Sequence, residues 1–224
     1  MKNLNFIIFL IKRIFKDIYH YIKLAHFKIK WQEHFKNNFT TPVKIMPINK
    51  IVIGDYSYGP IEVLSWRNGE EKLIIGKYCS IASGVKFILG GNHDVSKFMT
   101  YPIKNKLIDG SVESCTKGVI TIEEDVWIGS DAIILSGITI GKGSVIAAGS
   151  VVTKSFPAFS IIGGNPAKII KYRFDDDTIL TLKDIDYSKI DQMFLKNNLN
   201  LLYEEMNINK AEEIKAKHDQ NYII

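Results

Sequence analysis

From Ile122 to Val152 an aliphatic residue returns at every sixth position: Ile122, Ile128, Ile134, Ile140, Ile146 and Val152. A helical stripe recurs at three and four, and a half-buried strand at two. A strict period of six fits neither, and marks an internal repeat of short strands and turns. The physical unit is a chain wound as a narrow coil with flat faces, one hexapeptide to a face, each leading side chain pointing at the axis. Stacked coils bury a column of Ile and Val and pair each backbone with the turns above and below, so no unit is stable alone. Gly129, Asp131, Gly141, Gly143, Ala147 and Gly149 fall where corners must turn or backbones approach. The register also runs through Ile75, Ile81 and Phe87, and fits one unit at Ile53. An ordinary β-sandwich would not hold one spacing through so many returns.

The 224 residues suffice for one domain with a substantial core or for two small ones. Two cysteines, Cys79 and Cys115, lack metal-like spacing and a His at zinc-finger distance, which points to a reduced, cytosolic compartment and to no metal. Cys79 occupies a core-type position of a repeat unit, where burial is the role expected of it. The net charge of +5 is uneven, since Met1 to Lys36 carries eight Lys and Arg against Asp17 and Glu33. Over residues 4–35 the spacing of Ile7, Ile11, Ile14, Ile18, Ile22, Ala25 and Ile29 predicts a long amphipathic helix, with Lys12, Lys16, Lys23 and Lys30 largely off the stripe. The apolar run Phe6 to Ile11 is too short to span a bilayer, and no small-residue cleavage site follows it. Two settings stay open for this helix. It packs on its own coil or trimer, or it lies on an anionic membrane surface at the inner face of the cell membrane, which suits Phe15, Tyr19, Tyr21 and Trp31. Charge confined to a helix with a wide apolar face argues against nucleic acid as a partner.

The chain divides into an N-terminal helix (1–40), a repeat domain (41–172) and a C-terminal helical segment (173–224). Thr41-Pro42 and Met46-Pro47 end the first helix, and the coil is expected to begin near Ile51. The register lapses from Gly59 to Lys72, with a projecting turn at Trp66-Arg67-Asn68-Gly69-Glu70. A longer interruption, Leu89 to Lys117, leaves the coil and returns. So long an irregular loop in a repeat fold marks the place where chemistry is kept. Asp175, Asp176 and Asp177 ahead of an apolar run predict a helix N-terminus. A metal site on that cluster is the alternative, though no His or Gly-bearing calcium loop accompanies it. Short helices are expected at Ser188–Lys196 and, mostly solvated, at Leu201–Lys217.

The repeat, the loop sequences Gly91-Asn92-His93 and Thr100-Tyr101-Pro102, the segment Asp125-Val126-Trp127-Ile128-Gly129 and the ending Gly163-Gly164-Asn165-Pro166-Ala167-Lys168 form a specific conjunction. Together they resemble the hexapeptide-repeat acetyltransferases, in particular the xenobiotic branch that holds chloramphenicol and streptogramin acetyltransferases and related sugar O-acetyltransferases. The resemblance covers about Ile53 to Leu182. It implies a mainly β chain built as a left-handed parallel β-helix, a homotrimer, three active sites between neighbouring subunits, and acetyl-CoA lying along the coil. The handedness rests on the resemblance alone, since general crossover rules favour the opposite hand.

Acetyl transfer from a thioester to a hydroxyl needs a base near the alcohol, stabilisation of the tetrahedral oxyanion and exclusion of water. His93 matches the family's catalytic histidine, and of the five His residues it alone lies in the excursion loop. Trp127 matches the tryptophan near the pantetheine and thioester end, with corner packing as its plainer role. The resemblance places Gly129, Ala147 and Ala148 against the cofactor, Gly163, Gly164, Asn165 and Pro166 along its border, and Lys168 or Arg173 at its phosphates. It places Tyr56, Tyr58, Asn92 and Tyr101 at the acceptor. Neither cysteine sits in a nucleophile motif, so direct transfer is expected rather than a covalent intermediate. The longer basic helix and a C-terminal segment without a Trp-rich stretch depart from drug-modifying relatives. The sugar hydroxyl of a surface polysaccharide or its lipid-linked precursor is therefore the leading acceptor, with an antibiotic, or a catalytically idle trimeric scaffold, as alternatives.

Overall fold

The computed structural model describes residues 2–66 and 69–222. After helix α1 (Lys2–His34), the period of six becomes a rotation through three sheets. In chain order the strands are β1 (Phe39–Pro42), β2 (Ile51–Ile53), β3 (Tyr58–Ile61), β4 (Val63–Leu64) and β5 (Leu73–Ile75). They continue with β6 (Ser80–Ile81), β7 (Lys86–Ile88), β8 (Ile120–Ile122), β9 (Trp127–Ile128) and β10 (Ile133–Leu135). The last are β11 (Thr139–Ile140), β12 (Val145–Ile146), β13 (Val151–Val152), β14 (Ser160–Gly164) and β15 (Ala167–Tyr172). Face one holds β2, β5, β8 and β11; face two holds β1, β3, β6, β9, β12, β14 and β15; face three holds β4, β7, β10 and β13. Neighbours within a face run parallel, as stacked coils must, until β15 folds back on β14 as an antiparallel hairpin.

The leading residues point inward as their spacing requires: Ile122, Ile128, Ile134, Ile140, Ile146 and Val152 are all fully buried. Each such burial stabilises by about 1.5–3 kcal/mol, which is what offsets the entropy of ordering strands only two or three residues long. Corners repeat as regularly as the core. Between faces one and two, the residue two places before β3, β6, β9 and β12 is left-handed: Tyr56 (φ 64°), Tyr78 (62°), Asp125 (56°) and Gly143 (68°). Gly129 and Gly141 serve differently. A Cβ on Gly129 would stand 2.6 Å from the Ala148 nitrogen, and one on Gly141 2.3 Å from the Ala158 nitrogen, so the next coil's backbone excludes any side chain there.

The coil begins earlier than Ile51, because β1 pairs with β3 in the register Phe39↔Tyr58 to Pro42↔Ile61. Pro42 is tolerated because β1 is an edge strand, where a missing N–H breaks no ladder. The lapse at Gly59–Lys72 is also shorter than expected, since β3 and β4 continue the coil. Tyr58 pairs with Ser80 and Val63 with Phe87, so the earlier coil makes this step with two residues fewer, and the six-residue spacing is masked without the winding being lost. Only residues beyond Leu64 project. Gly69 and Glu70 form a turn, while Arg67 and Asn68 of the expected turn lie outside the described residues.

Helix α1 does not lay its Ile stripe on its own coil. Every side chain from Phe6 to Lys23 is exposed, and the helix is anchored only near its end by Phe27, Trp31 and Phe35. Trp31, expected among the membrane-facing aromatics, is instead fully buried and donates its indole N–H to Thr40 Oγ1 at 3.0 Å. The C-terminal segment forms α2 (Asp176–Lys183), α3 (Gln192–Asn197), α4 (Leu199–Leu202) and α5 (Ile208–Tyr222). Asp175 caps α2 as expected, its side chain accepting from the Thr178 N–H. The helix expected at Ser188–Lys196 is broken, because Asp191 caps a new helix from the Phe194 N–H. The last helix starts at Ile208, not Leu201, and it turns one side, Ala211, Ile214 and His218, into the core while the rest stays largely at the surface. The segment packs on the corner between faces one and two, where the Lys142 ammonium donates to the carbonyls of Lys183 (2.6 Å) and Ile185 (2.8 Å) at the end of α2.

Candidate active site

The excursion leaves after β7 on face three and returns at β8 on face one, so it hangs from one edge of the coil. Its base is closed by a bridge between Asn92 and Cys115, with backbone hydrogen bonds of 3.1 and 2.8 Å in the two directions. The Asn92 side-chain amide lies 3.3 Å from the Cys115 carbonyl and 3.4 Å from Ser136 Oγ, so this residue, expected at the acceptor, holds the loop to the coil. One helical turn, Lys104–Ile108, shapes the distal part, and Glu113 accepts from the Asn105 N–H at 2.9 Å.

His93 is exposed on this loop and lines a cavity of about 420 Å³ together with Trp66, Met99, Tyr101, Asn105 and Glu113. Its Nδ1 is hydrogen-bonded to the Thr100 carbonyl oxygen. A carbonyl can only accept, so Nδ1 carries a proton, and in the neutral imidazole the lone pair is on Nε2. That is the tautomer a general base requires, and it arises because the loop folds Thr100 back over His93. Tyr101 shares the cavity.

Two residues of this site were missed by sequence reasoning. Trp66 walls the cavity and lies directly under Gly91, where a Cβ would stand 2.7 Å from the indole. Glu71 ties the neighbouring strands of chain together. It accepts from Ser65 Oγ, from the Trp66 N–H at 3.0 Å and from the Lys50 ammonium at 3.2 Å. Burial alone would push its carboxyl up, but these hydrogen bonds and the Lys50 charge outweigh burial and hold it below the usual carboxylate range. Trp66 could have been suspected from its place in the register lapse. A lone Glu between Glu70 and Lys72 gives no such signal.

The expected cofactor residues form a second group at the corner between faces two and three. The Gly129 N–H donates to the Ile146 carbonyl and the Ala147 N–H to the Ile162 carbonyl, both at 2.8 Å, and a Cβ on Gly163 would meet the Ala147 Cβ at 3.1 Å. Gly129, Ala147 and Gly163 thus stack as a column of small residues, flanked by exposed Ala148. Gly164 closes β14 opposite Ala167, Asn165 and Pro166 make the turn of the β14–β15 hairpin, and exposed Lys168 pairs with Gly163. Arg173 is placed elsewhere. It donates to the Gly143 carbonyl at 2.6 Å and pairs with Asp125 at 3.1 Å, on the corner between faces one and two.

Trp127 and Tyr58 project from face two, 57% and 51% exposed, in one lateral row: Tyr58 pairs with Ser80, and Ser80 with Trp127. Tyr56 sits at the corner before that face, its ring stacked on Tyr78 with centroids 5.2 Å apart. In a three-faced coil the edge between faces three and one stands opposite face two. The excursion loop and the Trp127 row are therefore on opposite sides of one chain, and Trp127, Tyr56, Tyr58 and the small-residue column contribute nothing to the wall of the His93 cavity. Of the two thiols, Cys79 is fully buried, and burial pushes it up to about 12, while Cys115 is exposed at the base of the excursion loop.

Residues 120–154 match the bacterial transferase hexapeptide (six repeats) family. A chloramphenicol acetyltransferase of Agrobacterium fabrum is 36% identical over 176 residues, which is 68% of this chain and 84% of that protein. A probable macrolide acetyltransferase of Lysinibacillus sphaericus is 39% identical over 156 residues, 66% of this chain and 87% of that protein. A hexapeptide-repeat acetyltransferase of Vibrio cholerae, solved in complex with acetyl coenzyme A, aligns with a TM-score of 0.49 at 26% identity, covering 67% of this chain and 79% of that one. With more than a third of residues shared over most of two acetyltransferases, and the period of six wound as three parallel faces, the chain belongs to the hexapeptide-repeat acetyltransferase family.

Proposed function

We propose that this acetyltransferase moves acetyl from acetyl-CoA directly to a hydroxyl of a sugar, in a surface polysaccharide or its precursor, with His93 as general base. The observation that carries the reading is the hydrogen bond between His93 Nδ1 and the Thr100 carbonyl, beside a cavity large enough for a sugar ring. As the acceptor oxygen attacks the thioester carbonyl, Nε2 takes its proton and returns it to the departing thiolate, which leaves His93 neutral after each turnover. A polyhydroxylated acceptor is supported by the cavity wall, where the carboxylates of Asp94 and Glu113 and the amide of Asn105 can bond hydroxyls while Trp66 and Tyr101 offer ring faces.

The proposal includes a homotrimer of left-handed coils. It is supported by the split of the site within one chain, because bringing the Trp127 row and the small-residue column to a His93 cavity requires the loop of a neighbouring copy. Direct transfer is supported by the buried, protonated state of Cys79, which removes one candidate nucleophile. A second reading, acetylation of a drug hydroxyl, is favoured by the names of the two relatives just described.

The test is a mass-spectrometric search for acetylated product, with purified protein, acetyl-CoA, glycosides, polyprenyl-linked sugars, chloramphenicol and a macrolide. His93→Ala should lower turnover roughly 10²–10⁴-fold while acetyl-CoA affinity by calorimetry stays within about twofold. Turnover in that variant like the parent's would remove His93 from its role, and product from the drugs alone would replace the sugar reading.

A further inference from the structure

Helix α1 has three sides with three different destinations. At about 100° per residue, Ile7, Ile11, Ile14, Ile18, Ile22 and Ile29 fall within roughly 80° of arc. The anchoring residues Phe27, Trp31 and Phe35 lie roughly 140° round from the centre of that stripe, and Lys12, Lys16, Lys23 and Lys30 roughly 135° round the other way. The side that docks on the coil is therefore not the side that carries the Ile stripe. All the stripe residues are exposed, between 47% and 59%. Bordering the stripe are Phe15, Tyr19 and Tyr21, still more exposed at 59–73%, and the first described turns, Phe6 to Ile11, carry apolar side chains all round.

From these three sides we infer that α1 is a membrane-surface helix, which lays its Ile stripe into an anionic lipid headgroup layer and holds the acetyltransferase body against it. Charge decides between a lipid surface and the helices of other copies. Seven Lys and Arg lie on α1 after its first turn or just beyond its end, against only Asp17 and Glu33, so packing copies side by side would gather like charge with almost nothing to neutralise it. An anionic surface supplies that neutralisation, and a helix about 10 Å across keeps its basic residues within about a Debye length of the headgroups. Aromatic rings beside the stripe suit the same boundary, with an apolar body below and a polar tip in the headgroups. Among the described residues no helix is long and apolar enough to cross a membrane, so the attachment is peripheral. This inference stands apart from the identity of the acceptor.

The experiment is co-sedimentation of the full chain with vesicles of phosphatidylglycerol and phosphatidylcholine, compared with phosphatidylcholine alone. Binding should occur at low salt to the anionic vesicles only, and weaken roughly tenfold or more as salt is raised. Ile11→Asp with Ile18→Asp, and separately Lys12→Glu with Lys16→Glu, should each weaken binding roughly tenfold or more. Both should unfold at the parent's temperature and keep its mass by light scattering, because none of these side chains touches the coil. Failure of the parent chain to sediment at low salt, or stripe-variant binding equal to the parent's, would overturn the inference. A stripe variant that falls to a lower mass would assign the stripe to contacts between copies instead.

Discussion

Glu71→Gln tests how the site is held together. In the folded chain the Glu71 side chain is fully buried and receives three kinds of donor: the Lys50 ammonium, the Trp66 N–H and the Ser65 hydroxyl. Glutamine has the same shape, but it turns one acceptor into a donor and removes the carboxylate charge that Lys50 pairs with. Breaking a buried ion pair from one side costs about 3–5 kcal/mol. The Lys50 side chain is 18% exposed and can recruit some water, so the expected loss is discounted to about 2–4 kcal/mol, or roughly 5–15 °C in melting temperature. The pH dependence has a definite sign. A carboxyl held below its ordinary value contributes stability that is fully present above the unfolded value near ~4.3, and that contribution is lost as pH falls through the lower folded value. Urea unfolding followed by circular dichroism should therefore give a constant gap between the two proteins from neutral pH down to about 5, closing below about 4. Because Trp66 walls the cavity, KM for the acceptor should rise as well. A gap under about 0.5 kcal/mol at neutral pH, within the range of ordinary surface changes, would refute the reasoning, as would a gap that persists unchanged into acid.

Two further outcomes follow from the division of the site. His93→Ala and Trp127→Glu should each be nearly inactive, yet chains unfolded and refolded together should regain about a quarter of the parent activity, because random mixing pairs an intact loop with an intact face that often. No recovery would place both residues in one subunit's site. Ala148→Glu, which sets a carboxylate on the exposed corner beside the small-residue column, should raise KM for acetyl-CoA roughly tenfold, equivalent to about 1.4 kcal/mol, with unfolding unchanged. An unaltered KM would move the cofactor away from that corner.

Much of the coil was legible because a leading aliphatic residue reports its own position. From Ile122 to Val152 each leading Ile or Val that recurs at six is buried. Legibility failed where a unit departed from that length. The five-residue step from Tyr58 to Val63 hid a coil that is physically present, and Pro42 disguised an edge strand as a terminator. In the C-terminal segment, a single capping aspartate, Asp191, decided a helix boundary that propensity alone would have run through.

The site divides along the same line. The sequence by itself determined the repeat, the excursion and the singular position of His93, because chain spacing and loop membership are local properties. It could not determine the protonated nitrogen of His93, which depends on Thr100 folding back seven residues later. Nor could it place Glu71 beneath Trp66, separate Arg173 from the small-residue column, or show the Ile stripe of α1 turned away from its own coil. Those are decided only in the tertiary structure, because each depends on which surfaces meet once the three faces are wound, and pairing between distant residues leaves no period in the chain.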